Sequence, residues 1–208
     1  MTKTAFIWDF DGTLADSYPA IMTVLKQLYA QHGWAFDETE VGEFILQTSV
    51  KHLLETQAKK ADLEGDDLQL MASFMAGQEQ LDDQIILMPG ALEVLAQTAS
   101  AGVRHFIYTH KGATTDAVLE RLGIADYFTE VINSTHGFAR KPEPDALFYL
   151  LDKYGLDKNQ TYYIGDRSLD REAAERAGIH SINLTQPDSP TNTNIEHLLD
   201  ILALPIFK

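Results

Sequence analysis

Two aspartates lie one residue apart at the end of an apolar run near the start of the chain. The segment TKTAFIWDFDGTLADS, residues 2–17, places Asp9 and Asp11 beside Gly12. A turn would explain Asp11 and Gly12, because both residue types are common where a chain leaves a sheet, but Asp9 comes while the apolar run continues. If the extended geometry continues, both carboxylates share one strand face, where they repel unless a cation or a proton lies between them. The aspartate pair therefore indicates a functional site rather than an ordinary turn.

Acids, bases and a hydroxyl follow the later predicted strands. Thr-His-Lys follows the second at 109–111, Arg-Lys-Pro follows the third at 140–142, and Asp166 and Asp170 follow the fourth. In a parallel α/β sheet, ligands bind outside the carboxyl ends of the strands, where the strand order reverses. We therefore expect these side chains to meet Asp9 in one site.

Three of the aspartates have the chemistry of a metal site. Asp9, Asp166 and Asp170 with a backbone carbonyl form an all-oxygen ligand set, which suits a hard cation such as Mg²⁺. These acids would repel a phosphorylated substrate, so a local positive charge is needed. Lys141 can supply it by contacting both the attacking carboxylate and the phosphoryl oxygens. Thr109 can donate its hydroxyl to a phosphoryl oxygen.

The aspartate pair fits two steps of one reaction. A carboxylate can attack a phosphoryl group, and Asp9 is the candidate nucleophile. Asp11 would protonate the leaving oxygen and then activate the water that hydrolyses the aspartyl-phosphate. Two roles require two carboxylates.

The elements that must position these residues alternate between strand and helix. The pattern predicts a parallel sheet with helices on both faces, an α/β fold. Short β-branched and aromatic runs predict strands, and apolar residues at helical spacing predict the helices between them. The predicted strands are 4–8, 103–108, 129–133, 161–164 and 180–184, and the helices are 90–101, 113–122, 143–154 and 168–177.

One long segment interrupts this alternation. It holds no convincing strand and is predicted as helices 18–31, 39–47, 49–60 and 67–82. We therefore expect a catalytic core formed by 1–16 and 87–208, with an all-helical domain over 17–86 inserted after the first strand. The tail from Gln186 to Asn194 is predicted as a loop before a last helix, 194–203.

Composition excludes several classes of function. The chain has 208 residues, 45% of them hydrophobic, and no cysteine, which excludes disulfides, thiolate metal sites and a cysteine nucleophile. It shows no secretory signal and no membrane-length apolar run, so we expect a cytoplasmic protein. The formal charge of −15 disfavours nucleic acid and membrane as partners. A small phosphorylated metabolite is the expected partner, and the sequence leaves monomer or homodimer open.

The ordered set of motifs resembles one enzyme family. Asp9-Phe-Asp-Gly-Thr-Leu, Thr109, Lys141 and Gly165-Asp166 with Asp170 are similar to the four motifs of the haloacid dehalogenase (HAD) superfamily, nearest to its phosphoglycolate phosphatase-like members. The resemblance implies a Rossmann-like core with a helical C1 cap and a Mg²⁺ cofactor. It also implies that Asp9 is nucleophile and metal ligand, that Asp166 is a ligand, and that Asp170 holds metal-bound water. Asp11 would be the acid/base and give its backbone carbonyl to the metal.

The sequence departs from the common family pattern at two positions. His110 follows Thr109 where Asn is usual, and Arg167 follows Asp166 where a small Ser or Thr is usual. These departures leave the chemistry unchanged but put the substrate in doubt. His110 is a candidate substrate contact, while Arg167 is interpreted as scaffold. In the helical domain, Thr48, Ser49 and Lys51 lie at a helix junction, where Ser49 is a plausible N-cap and the three could instead select the leaving group.

Four functions remain to be weighed. The first is a Mg²⁺-dependent phosphatase that acts on a small, phosphoglycolate-like phosphomonoester. The second is a phosphomutase of the β-phosphoglucomutase type, which would use the same core. A dehalogenase is disfavoured, because the resemblance implies that dehalogenases need no metal and lack the second aspartate, which is present here as Asp11. A non-catalytic binding module would be favoured by the loss of the nucleophile, the acid or the lysine, and all three are present.

Overall fold

The computed structural model describes residues 4–63 and 65–207. The described chain divides into two compact units. One, the sheet unit, ends its first part at Asp16 and resumes at Ile86, and the other, the helical unit, covers Ser17–Ile85. The sheet unit holds every sequence motif described above except the helix junction at 48–51.

The strands of the sheet unit form one large parallel sheet and one small antiparallel pair. In chain order, the described strands are β1 (Ala5–Trp8), β2 (Ala15–Asp16), β3 (Ile86–Leu87), β4 (Arg104–Tyr108), β5 (Phe128–Ile132), β6 (Thr161–Gly165), β7 (His180–Asn183) and β8 (Asn192–Asn194). The large sheet has the order β5-β4-β1-β6-β7-β8, and all its pairs are parallel. Strand β2 pairs antiparallel with β3.

The first strand lies inside the large sheet and is buried along its whole length. Its sequence Ala-Phe-Ile-Trp has no polar residue, as expected of a parallel strand with both faces covered. Ile7 pairs with Phe106 of β4 on one side and with Tyr163 of β6 on the other. The strand order reverses at β1, so the carboxyl ends of β1, β4 and β6 lie side by side where a ligand site is expected.

Besides short 3₁₀ helices, the described chain contains eight α-helices. They are α1 (Tyr18–Gln31), α2 (Glu38–Gln47), α3 (Val50–Lys60), α4 (Asp67–Gln80), α5 (Ala91–Ser100), α6 (Thr115–Arg121), α7 (Asp145–Tyr154) and α8 (Ser168–Ala177). The first four belong to the helical unit and the last four alternate with the parallel strands. The prediction of an α/β fold with an inserted helical segment is confirmed.

The structure corrects three details of the predicted elements. The tail predicted as a loop contains β8, and the last predicted helix, 194–203, is a 3₁₀ helix over Leu198–Ala203. The sequence of β8 is polar and therefore carries no strand signal. The strand forms because its backbone pairs with β7 at the edge of the sheet. Helix α7 begins at Asp145, two residues later than the predicted start at 143.

The helical unit has its own apolar core. Its helices bury one stripe each, and Tyr29 of α1 makes edge contacts with Trp34 and Phe36 in the following loop. Asp37 caps the N-terminus of helix α2, because its carboxylate accepts a hydrogen bond from the backbone N–H of Glu40. Throughout the described chain, the helices are too short or too polar to cross a membrane.

A buried polar network lies behind the first strand. The indole Nε1 of Trp8 donates to Nδ1 of His105, 3.0 Å away, and the hydroxyl of Thr98 lies 3.2 Å from Nε2 of the same ring. His105 is almost fully buried. Burial lowers the pKa of His105 from 6.5 to about 4, so its ring is neutral in the folded protein at pH 7.

This network predicts a loss of stability in mild acid. The unfolded chain protonates His105 near pH 6.5 but the folded chain only near pH 4. The stabilisation that comes from keeping His105 neutral is therefore complete above pH 6.5. It is lost as the pH falls, so the unfolding free energy is about 3 kcal/mol lower at pH 4. Urea unfolding of wild type and of His105→Gln measures this loss of unfolding free energy. In the variant, the amide oxygen can still accept the hydrogen bond from Trp8. The difference in unfolding free energy between the two proteins is expected to shrink or reverse on acidification, and parallel pH curves would contradict the assignment.

Candidate active site

The first aspartate extends the central strand and the second lies in the turn that follows. The backbone N–H of Asp9 donates to the carbonyl of Ile164, 2.8 Å away, although β1 ends at Trp8. The chain then turns, with Gly12 at φ +80°, a left-handed conformation that favours glycine. Asp11 therefore lies in a turn, and the extended geometry that would place it on one strand face with Asp9 does not continue that far.

Three aspartates meet at the carboxyl ends of β1 and β6. One oxygen each of Asp9, Asp166 and Asp170 lies within 4.8 Å of the others, and all three residues are buried. Asp9 follows β1, Asp166 follows β6, and Asp170 lies in the first turn of α8. The side chain of Asp11 is outside this group, so its contribution through a backbone carbonyl stays a prediction.

Lys141 connects two of these carboxylates. Its Nζ lies 2.6 Å from Oδ1 of Asp9 and 2.8 Å from Oδ1 of Asp170. The ammonium also lies over the rings of Tyr108 and Tyr163, 5.3 and 5.5 Å from their centroids. These contacts hold a buried cation beside the candidate nucleophile.

Burial and neighbouring charges shift the pKa values of the connected groups. Burial, partly opposed by Lys141, raises the pKa of Asp9 to about 6. Burial also favours the neutral forms of Asp170 and Lys141, but their mutual attraction prevails, so the pKa of Asp170 is lowered and that of Lys141 is raised. The guanidinium of Arg167 lowers the pKa of Asp170 further and partly opposes the rise in the pKa of Asp9. Lys141 is therefore charged beside an ionised Asp170.

The donor set fits a divalent cation. Oδ2 of Asp9 and Oδ1 of Asp11 are buried without a hydrogen-bond partner, and such oxygens are costly unless a proton or cation satisfies them. The three clustered carboxylates also exceed the two nearby cations, Lys141 and Arg167, by one negative charge. Carboxylate oxygens are the ligands that Mg²⁺ prefers, so the residues fit this metal.

Thr109 places its hydroxyl at the end of β4. It is buried, and its Oγ1 accepts a hydrogen bond from the backbone N–H of Lys111, 3.1 Å away. A hydroxyl that accepts from the backbone can still donate its own proton. Thr109 can thus present that proton to an anion beside Asp9, since β4 is the neighbour of β1.

His110 contacts the segment that carries the lysine. Its Nε2 lies 3.0 Å from the backbone N of Lys141, which donates to it. The prediction that His110 contacts substrate is not tested by this bond. The adjacent Lys111 is also buried, and its carbonyl accepts from the N–H of Ser134.

Several residues that support the site were missed by sequence reasoning. Tyr163 donates its hydroxyl to the carbonyl of Tyr108 and lies 3.3 Å from Oδ1 of Asp170. Asn183, at the end of β7, donates to the carbonyl of Arg167. A tyrosine or asparagine in a strand resembles an ordinary core or edge residue, and only the strand order places these two beside the acidic cluster.

Gly165 leaves room for one of the clustered carboxylates. A β-carbon there would overlap the side chain of Asp170, at 2.5 Å from Oδ2. We expect Gly165→Ala to displace Asp170, to misplace the ammonium of Lys141, and to lower the kcat of the reaction expected at this site about 100-fold while the fold is retained. Gly42→Ala is the matched control, because its β-carbon would meet only Met22 at 3.8 Å. Steady-state kinetics and circular dichroism of both variants test this, and equal activities would contradict the steric argument.

The candidate substrate-selecting residues of the helical unit each have a local structural partner. Thr48 donates its hydroxyl to the carbonyl of Phe44, and Lys51 forms an ion pair with Glu55 at 2.6 Å. Ser49 accepts from the N–H of His52, so the prediction that it caps α3 is confirmed. Their proposed role in substrate selection is not tested by these contacts.

The sequence matches one family model over nearly the whole chain. The model is described as haloacid dehalogenase-like hydrolase, and it covers residues 6–184. The chain belongs to this family. The match spans β1 to the end of β7, and so includes all four motifs and the helical unit. The assignment of the chain to HAD-type phosphatases is confirmed by the relatives described next.

Known proteins are similar to this chain in sequence and in fold. A phosphoglycolate phosphatase of Yersinia pseudotuberculosis is 30% identical over 86% of this chain and 79% of its own length. One of Pectobacterium atrosepticum is 31% identical over 86% of this chain and 78% of its own length. A crystal structure of a HAD-superfamily hydrolase, subfamily IA, from Geobacter sulfurreducens superposes with a TM-score of 0.73. It is 23% identical, with coverage of 97% and 95% of the two chains, and supports the fold alone.

Proposed function

We propose that this HAD-family protein is a Mg²⁺-dependent phosphatase that hydrolyses a small phosphomonoester through an aspartyl-phosphate on Asp9. The observation that carries the proposal is the buried Lys141 ammonium, which lies 2.6 Å from Asp9 and 2.8 Å from Asp170. A structural ion pair would need one carboxylate. A second and third, with an unsatisfied oxygen on Asp9, favour a site prepared for a cation and a phosphoryl group.

In the first step, Asp9 acts as the nucleophile. A carboxylate oxygen of Asp9 forms a bond to phosphorus while the ester P–O bond breaks. The electron pair of that bond goes to the leaving oxygen, which takes a proton from the carboxyl of Asp11. Lys141 and Thr109 donate hydrogen bonds to the phosphoryl oxygens, where negative charge must be stabilised.

In the second step, Asp11 acts as a base. Its carboxylate takes a proton from water, and the water oxygen attacks phosphorus as the bond to Asp9 breaks. Inorganic phosphate leaves and Asp9 is regenerated as a carboxylate.

The residues that would hold the metal are Asp9, Asp166 and the backbone carbonyl of Asp11, with Asp170 acting through water. Bound Mg²⁺ would neutralise charge between the carboxylates and the phosphoryl group. Thr13 supports this arrangement, since its hydroxyl lies 3.4 Å from Oδ1 of Asp166.

The substrate is proposed from the relatives. The similar proteins of Yersinia pseudotuberculosis and Pectobacterium atrosepticum are phosphoglycolate phosphatases. We therefore propose a small phosphorylated metabolite of this type, a short carbon chain with one phosphate ester. No observation favours the phosphomutase or the non-catalytic module.

Phosphate release from a panel of phosphorylated metabolites, including phosphoglycolate, tests the proposal. We expect release with Mg²⁺, none with a chelator, and no need for a sugar bisphosphate activator. Isomerisation of a sugar phosphate without net release would instead establish a mutase. Silence across both assays with folded, metal-supplied protein would overturn the proposed function.

The helical unit is proposed to read the organic part of the substrate through Thr48, Ser49 and Lys51. Lys51→Met breaks only the surface ion pair with Glu55 in the structure, so its fold should persist. If the proposal holds, this variant changes the ranking of substrates in the panel but not the turnover of a generic aryl phosphate. An unchanged ranking would contradict it.

A further inference from the structure

The lysine of the active site lies in a segment that has no regular secondary structure. Residues 137–144 separate a 3₁₀ turn over Ser134–His136 from α7, and Lys141 lies in the middle. A lysine side chain has four rotatable bonds, so its ion pairs alone do not fix where the backbone lies. Something else must hold this segment close to the end of β4.

Two residues at the end of β4 hold it by hydrogen bonds. Tyr108 donates its hydroxyl to the carbonyl of Ala139, 2.9 Å away. His110 accepts at Nε2 from the backbone N–H of Lys141, 3.0 Å away. The two anchors alternate along β4 and its extension, and they bind alternate residues of the segment.

We propose that His110 is a positioning residue, which fixes the main chain of Lys141 through an unprotonated Nε2 and so places the ammonium between Asp9 and Asp170. Only the kinetic consequence of this inference rests on the proposed function, because the hydrogen bond of His110 and its protonation state do not depend on the activity. The inference gives His110 a role other than direct substrate contact.

The bond defines the protonation state of the ring. A backbone N–H can only donate, so Nε2 must present a lone pair, and the ring proton of the neutral imidazole must lie on Nδ1. Burial lowers the pKa of His110, and the positive charges of Lys141, Arg140 and Arg167 lower it further. The ring of Tyr108, which also carries a titratable group, lies 5.9 Å from the His110 ring and nearly perpendicular to it. His110 therefore stays in the Nδ1–H form through the neutral range.

Nitrogen NMR of the whole protein tests this state without any assay of activity. In ¹⁵N-histidine-labelled wild type, we expect one imidazole with an unprotonated Nε2 and a protonated Nδ1, unchanged from pH 5.5 to pH 8. Its signals are assigned by their loss in His110→Gln. A His110 ring that is protonated, or that carries its proton on Nε2, would overturn the proposal. This result stands even if the protein releases no phosphate, in which case the proposed function fails separately.

Kinetics then test the consequence for Lys141. His110→Leu removes the acceptor at similar size, while His110→Gln restores an oxygen at similar reach. We expect His110→Leu to lower kcat about 100-fold with KM changed less than about threefold, because a catalytic group misplaced by about 1 Å costs this much. His110→Gln should recover most of that loss. The exposed His197→Leu is the matched control.

Two kinetic results would overturn the inference. One is a kcat of His110→Leu that equals wild type, which would mean that the bond to Lys141 is dispensable. The other is an equal loss in folded His110→Leu and His110→Gln, which would mean that the imidazole acts by something other than its acceptor. A rise in KM alone would assign His110 to substrate binding instead.

Discussion

Replacing Asp9 with asparagine is expected to abolish phosphate release, by about 10⁴-fold or more in kcat. The carboxamide has nearly the same shape, so β1 and its backbone bond to Ile164 should persist. It cannot form the covalent bond to phosphorus that the first step requires. Asp152→Asn is the matched control, since that carboxylate is exposed on α7. Residual activity above about 1% of wild type would remove Asp9 from the role of nucleophile.

The same substitution is expected to stabilise the metal-free protein. The pKa of Asp9 is about 6 in the folded chain against 3.8 as its ordinary value, so the folded state prefers the proton. This stabilisation is complete at low pH and is lost as the pH rises through 6, at a cost of roughly 3 kcal/mol by pH 8. Asp9→Asn escapes that cost.

Urea unfolding in the presence of a chelator measures this effect. Asp9→Asn should exceed wild type in unfolding free energy at pH 8, with no advantage near pH 3.8. Added Mg²⁺ should reverse the order by stabilising wild type more. A variant that is less stable than wild type at pH 8 without metal would contradict the charge argument.

Replacing Lys141 with methionine is expected to reduce both activity and stability. Methionine keeps the unbranched stem and can pack against the rings of Tyr108 and Tyr163, but it leaves Asp9 and Asp170 buried without their shared cation. We expect a loss of about 10³-fold in kcat. We also expect a loss of about 3–5 kcal/mol in unfolding free energy at pH 8, the usual cost of breaking a buried ion pair.

The pH dependence of this loss identifies its cause. Without the ammonium, the pKa of Asp170 loses the attraction that lowers it and the pKa of Asp9, already raised by burial, rises further, so the variant regains stability as the pH falls. Lys141→Met/Asp170→Asn removes one of the two stranded charges and should recover part of the stability at pH 8 but none of the activity. Lys153→Met is the control, because its ion pair with Glu130 lies at the surface. A pH-independent loss in Lys141→Met would indicate a packing defect.

The sequence predicted the α/β fold because two periodicities alternate in it. The buried strand Ala5–Trp8 is apolar throughout, and the helices after it carry one apolar stripe each, so both signals are local. Strand β8 was missed because its sequence, Asn-Thr-Asn, has no apolar alternation. Its pairing depends on β7, which is a fact of tertiary structure.

The clustered aspartates were predictable from the sequence, but the residues that support them were not. Asp9, Asp166 and Asp170 are charged residues directly after strands, where topology brings strand ends together, and the structure places them in one cluster. Asp11 was expected to share the strand face of Asp9 only if the extended geometry continued beyond the predicted strand 4–8, and the turn that follows Trp8 ends that geometry. Tyr163 was assigned to a strand alone, because its hydroxyl bond to Tyr108 joins two strands that are not adjacent in the chain.

The short strands β2 and β3 make the helical unit an exchangeable module. Ala15 pairs with Leu87 and Asp16 with Ile86, so the chain leaves the sheet unit and returns to it through adjacent, antiparallel backbones. Partner Cα atoms in such a pair lie about 5 Å apart, a gap that a two-residue hairpin turn spans. Insertions of very different length can therefore start and end here without changing the register of the parent sheet. The inserted segment could therefore be exchanged while the aspartates that follow β1 and β6 kept their places.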